Sequence, residues 1–156
     1  MKSRAWWLFF GLALGVAASM GVQAWANQDV ATDIPPPRAG GEDLNEVSRV
    51  VVWPRMMRHG DDMEELIWSV LLLEHDQTEH LADSIASEPK VARPLGMTGN
   101  EVNAEIPERF FIIQDLLQER AGVLARTAAK GNDADIARAF GQLTETCVAC
   151  HATFFR

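Results

Sequence analysis

The sequence predicts an all-α protein, an antiparallel four-helix bundle. Three observations carry that expectation. Apolar residues recur in alternating steps of three and four along several long segments, the spacing of a bundle seam. Proline and glycine gather between those segments, where the chain must turn. No long segment alternates apolar and polar residues as a half-buried strand would.

The chain opens Met1-Lys2-Ser3-Arg4, continues as an uncharged, mostly apolar run from Ala5 to about Val22, and reaches Ala24-Trp25-Ala26. A basic start, an apolar middle and an A-x-A exit form the secretory pattern, so residues 1–26 read as an export signal. The uncharged run is also about long enough to span a bilayer, which makes an uncleaved membrane anchor the alternative. Residues 27–44 read as a flexible linker, with Pro35, Pro36, Pro37, Gly40 and Gly41 in a polar setting. The folded domain is expected over 45–156.

The chain has 14 basic and 22 acidic residues, a net charge of −8, and Lys2 and Arg4 belong to the export segment. An exported body this acidic is a poor match for nucleic acid, whose phosphates demand cations. It suits a basic protein partner steered by charge.

The first helix is clearest from Pro54 to about Leu73. Its stripe reads Trp53, Met56, Gly60, Met63, Ile67, Val70. Pro54 suits a first helical position or a kink, which leaves the stretch from Val50 to Val52 open. Asp76 and Glu79 resemble a capping box that starts the second helix, which runs to about Ser87. A long connection with Pro89, Pro94, Gly96 and Gly99 follows. The third helix opens near Pro107 and ends about Lys130, where Gly131 supplies the stop. Asn132 or Asp133 caps the fourth, whose stripe is Ile136, Phe140, Leu143, Cys147, Cys150, Phe154. Phe110, Phe111, Ile112 and Ile113 make the start of the third helix apolar all round, a sign of burial on several sides.

That last stripe carries Cys147-Val148-Ala149-Cys150-His151, with the only two cysteines in the chain. Cys-x-x-Cys-His is the attachment signature of a c-type haem. Two thiols add across the two vinyl groups of one porphyrin, and the adjacent histidine reaches the iron. On a helix, positions i, i+3 and i+4 share a face, so the motif needs no backbone distortion. A thioredoxin-like dithiol would follow a strand, zinc needs about four ligands, and a disulfide within one helical turn has poor geometry. One covalent haem c, near the C-terminus of the last helix, is the expected cofactor.

A haem motif at the end of a four-helix chain resembles the cytochrome c-prime family and its low-spin, methionine-ligated relatives. The likeness spans roughly Val50 to Arg156. Its most specific part is Asn132-Asp133-Ala134-Asp135, Ala139-Phe140-Gly141 and Thr146 to His151, with Met56, Gly60 and Met63 as a weaker match in the first helix. Two positions depart from the family pattern. Val52 stands where a basic residue is common four before the sixth-ligand position, and Phe155 stands where Arg often follows the haem histidine. Arg55, Arg49 and Arg58 are the candidates left for the haem carboxylates.

The resemblance implies His151 as the proximal iron ligand and Met56 as the sixth, with Met63 as its rival. Gly60, one turn on, leaves room for the porphyrin, and Phe140 and Phe154 are candidates for ring contact. His59, between Arg58 and Gly60 and two residues before Asp61, reads as a solvated residue; His75 and His80 sit at the turn into the second helix and read as exposed. Thioether ligation gives a low-spin haem with a raised potential, suited to electron transfer. An open face gives a five-coordinate iron that binds gases such as nitric oxide. The leading expectation is therefore a periplasmic one-electron carrier between redox proteins rather than an enzyme, with a gas binder as the alternative. The family often dimerises, and Trp68, off the main stripe, is the candidate subunit contact.

Overall fold

The computed structural model describes residues 44–95 and 103–155. The export segment 1–26, the linker up to residue 43, the glycine-containing middle of the long connection and Arg156 lie outside the described residues. Four helices make up what is described, with no strand among those residues: α1 (Glu46–Leu71), α2 (His75–Ser87), α3 (Glu108–Ala128) and α4 (Asp133–Phe154).

Helix α1 starts well before Pro54, because Asn45 caps it. The Asn45 side chain accepts the Ser48 N–H at 2.7 Å, and Glu46 places an acid in the first turn, where the helix dipole favours it. Pro54 lies inside the helix on its exposed side. It removes one backbone donor, but the ladder continues around it. Leu44, at the end of the expected linker, is buried.

The stripe expected on α1 needs correcting. Trp53 is 58% exposed and Ile67 is 42% exposed, whereas Val52 and Leu66 are fully buried. The inward seam is Val52, Met56, His59, Met63, Leu66, Val70, which keeps the alternation of three and four. At 3.6 residues per turn, a shift of one position rotates a side chain by about 100°. Two apolar residues off the seam and one polar residue on it produced the misreading.

Helix α2 begins at His75, so Asp76 sits in its first turn rather than at its cap, and no side chain caps it. Pro107 occupies the cap position of α3, where its missing N–H costs nothing. For α4 the cap is Asn132, whose side chain accepts the Asp135 N–H at 3.0 Å. Both short turns lie at one end of the bundle. His75 Nε2 reaches Asp133 Oδ1 at 2.8 Å, and Thr78 Oγ1 donates to Ser69 Oγ at 3.0 Å. Val52, Phe110 and Phe154 meet at the other end, so successive helices run in opposite directions.

Two apolar clusters hold the bundle. The one nearer the turns gathers Leu66, Leu81, Ile85, Leu124, Ile136 and Leu143. The other gathers Leu44, Val52, Val91, Ile106, Phe111 and Phe154. Helix α2 packs most extensively on α3, and α3 on α4, while α1 leans on α2 and barely touches α4. The long connection is strapped to α3. Val91 exchanges hydrogen bonds with the Gln114 side chain at 2.8 and 3.1 Å, and Lys90 and Arg93 both reach Asp115.

Candidate functional site

Where α1 stands off α4, a cavity opens between the two clusters. Its volume is about 240 Å³, and it opens to solvent at its mouth. Helix α1 contributes Arg55, Met56, His59, Gly60 and Met63 to its wall; α4 contributes Thr146, Cys147, Cys150 and His151. The floor is Ile85 from α2 with Phe110, Ile113 and Leu117 from α3. Its lining is therefore mostly apolar, with polar groups along one edge.

Regular helix geometry places the α4 residues. Cys147, Cys150 and His151 lie within a turn of one another, and Thr146 anchors that turn to α3. The Arg120 guanidinium, almost buried, donates to Gln142 O at 2.6 Å and to Thr146 Oγ1 at 3.0 Å. The two thiols are partly buried and not joined to each other. Burial pushes the Cys147 thiol up; burial, then the neighbouring Cys147, pushes Cys150 up to about 12. Such thiols are poor candidates for disulfide exchange, which needs a thiolate. The His151 ring is exposed on the cavity side and packs edge-on against Phe155, with centroids 5.5 Å apart. No described residue supplies the hydrogen-bond partner that its second ring nitrogen would need as an iron ligand.

On the opposite wall, Met56 and Met63 are half-buried one heptad apart. A Cβ added at Gly60 between them would meet nothing within 4 Å, so the wall is open at that point. Met57 is 53% exposed and points away.

His59 is not on a solvated face. Its side chain is 17% exposed, lines the cavity and donates from Nε2 to Glu88 Oε2 at 2.5 Å. Arg58 holds the other oxygen of the same carboxylate. Although burial opposes ionisation of Glu88, the bonds from Arg58 and the proximity of His59 hold it below the usual carboxylate range. His59 and Glu88 were missed in the sequence; for His59 the signal was its seam position, one heptad after Val52, and for Glu88 there was none.

Phe140 and Phe154 do not line the cavity, a correction to their expected ring contact. Each lies seven residues, about 10.5 Å of helix, from Cys147. Phe140 packs against the cluster near the turns. Phe154 is fully buried and braces Phe110, with ring centroids 5.9 Å apart, in a cluster that also packs against Met56 and Cys150. His75, expected to be exposed, is partly covered by its bond to Asp133. His80 is exposed, and Trp68 is 59% exposed on the outer face of α1.

Among the described residues no three His, Cys, Asp or Glu side chains converge to hold a bare metal ion, and no helix is long and apolar enough to cross a membrane. A porphyrin supplies four of its iron's ligands itself, so a haem site asks less of the protein. No family model, no curated protein and no solved structure matches the chain, and the cavity's chemistry has to be read from its own residues.

Proposed function

We propose that this chain is an exported mono-haem c-type cytochrome that carries single electrons between redox proteins in the periplasm. One observation supports the reading above the rest. A single cavity has Cys147, Cys150 and His151 on one wall and Met56, Gly60 and Met63 on the other. The residues fit the group: two free thiols at the attachment spacing, an exposed imidazole beside them, an apolar floor, and a buried Arg55 Nε with no hydrogen-bond partner on the polar edge.

In this reading Cys147 and Cys150 would hold the porphyrin through thioether bonds, and His151 and Met56 would be the protein ligands of its iron. When bound, the haem supplies the one-electron change between ferric and ferrous iron. The chain's own part is to hold and shield. Arg120 and Thr146 fix the turn that carries the cysteines, and Phe110, Ile113 and Leu117 keep water from the floor. Met56, a soft ligand, favours the reduced iron and so raises the potential.

The test is the absorption spectrum of the reduced protein with and without carbon monoxide. A low-spin spectrum that ignores the gas, and a Met56→Ala variant that turns high-spin and binds it, are the expected results. Ready gas binding by the unaltered protein favours the five-coordinate gas binder instead. If Met56→Ala leaves the spectrum unchanged and Met63→Ala alters it, the ligand is Met63.

A further inference from the structure

We propose that Arg55 is the residue that binds the carboxylate side arms of the haem, an inference that rests on the haem reading above. The polar edge of the cavity is almost entirely committed to protein partners. Glu88 is taken by Arg58 and His59, and Gln114 by the Val91 backbone. Gln118 donates to Glu88 O at 2.5 Å, and Lys90 reaches Asp115 at 2.7 Å. Arg55 is the exception. It lines the cavity, its Nε is buried, and that nitrogen makes no hydrogen bond among the described residues.

In a chain with 22 acidic residues, a guanidinium in a cavity wall with no carboxylate partner among the described residues is conspicuous. An unmade bond to a buried charged donor costs free energy, and a carboxylate delivered by the ligand removes that cost. Arginine's planar fork suits a carboxylate with two parallel bonds. The rival cations are already engaged: Arg49 Nε donates to Leu44 O at 2.9 Å, and Arg58 is bound to Glu88. Placing the anion-binding cation next to Met56 also explains how the site manages with Val52 one turn earlier, where no charge is available.

The experiment compares the purified haem-loaded protein with Arg55→Gln, Arg55→Lys and Arg58→Gln. Two readouts are taken: the propionate-bending band in the resonance Raman spectrum and the midpoint potential. Arg55→Gln should shift the band and lower the potential, because losing a cation near the haem favours the ferric form. The ratio of reduced to oxidised protein at fixed ambient potential should fall about tenfold, equivalent to about 59 mV for one electron. Arg55→Lys should keep most of the potential but still shift the band, since it preserves charge and loses the fork. Arg58→Gln, which removes a cation paired with Glu88 rather than with the haem, should leave the band in place and lower the potential less than Arg55→Gln does.

A wild-type band and potential in Arg55→Gln, or a larger change in Arg58→Gln, overturns the assignment. If Arg55→Gln does not load haem, Arg55→Lys carries the test, and an unshifted band there overturns it equally. A wild-type protein that emerges colourless with both thiols free is a different failure, that of the haem reading itself.

Discussion

Near the turns, Leu66, Leu124 and Leu143 are fully buried and the helices close on one another. A few turns along the same helices, Met56, Met63, Leu117 and Cys150 are only partly covered and face a cavity. Both regions are built from the same apolar seams, so the difference is not one of hydrophobicity. It comes from what occupies the seam. Leu, Ile and Ala fill the closed region, whereas the facing walls of the hollow one carry Met, His, Gly and Cys. A close-packed interior normally tolerates few voids larger than a water molecule, and this hollow exceeds that limit.

The largest effect that would break this contrast is truncation on its two sides. Leu124→Ala should cost about 2–5 kcal/mol wherever it is measured, because the packed region cannot collapse around the loss. Met63→Ala should cost a similar amount in the haem-loaded protein. It should cost less in a Cys147→Ala/Cys150→Ala background, where Met63 keeps only its contacts with the cluster near the turns. Urea titrations of both backgrounds, each unaltered, with Leu124→Ala and with Met63→Ala, measure it. Equal costs of Met63→Ala in both backgrounds would mean that the hollow closes on itself and needs no occupant.

The same contrast explains what could be read from the sequence. Four helices were legible because their seams, the Asn132 cap and the Gly131 stop all act locally. The α4 wall was legible because Cys-x-x-Cys-His fixes its own geometry within one helical turn. The α1 wall was only half legible. Met56, Gly60 and Met63 were found, but Trp53 and Ile67 drew the seam one residue too far round, and the polar His59 hid its true course. Glu88 and Lys90 come from the connection after α2, and only the strap onto Gln114 and Asp115 brings them to the cavity. That placement depends on contacts between residues 23 to 25 apart, which no local pattern records.

Glu88 gives a smaller effect, one that sharpens the view of the hollow side. Its folded-state pKa lies below the ordinary 4.5, so the native state binds fewer protons than the unfolded one. The stability it contributes is complete above about pH 4.5 and disappears as the pH falls through the lower folded value. Glu88→Gln should therefore be less stable than the parent at pH 7, and the gap should narrow below pH 4.5. Thermal unfolding at pH 7, 5 and 3.5 follows it. A gap that stays constant across that range would show that Arg58 and His59 do not stabilise the ionised carboxylate.

The smallest effect lies at the closed end, where the two turns solve the same problem differently. Gly131 turns α3 into α4 with φ of 69°, a left-handed conformation that glycine adopts without strain. Leu73 turns α1 into α2 with φ of 59°, where a side chain crowds its own backbone at a cost of roughly 1–2 kcal/mol. Leu73 is 56% exposed, so its side chain returns little of that cost through burial. Leu73→Gly should gain up to about 1 kcal/mol after the greater freedom of glycine in the unfolded chain is counted. Gly131→Ala should lose about as much, because alanine is strained at that φ; its new Cβ would meet His75 Nδ1 only at ordinary contact distance, 3.4 Å. Opposite shifts in the urea midpoint are the expected result. If Leu73→Gly instead destabilises the protein, the exposed Leu71-Leu72-Leu73 tip is held by contacts that outweigh its backbone strain.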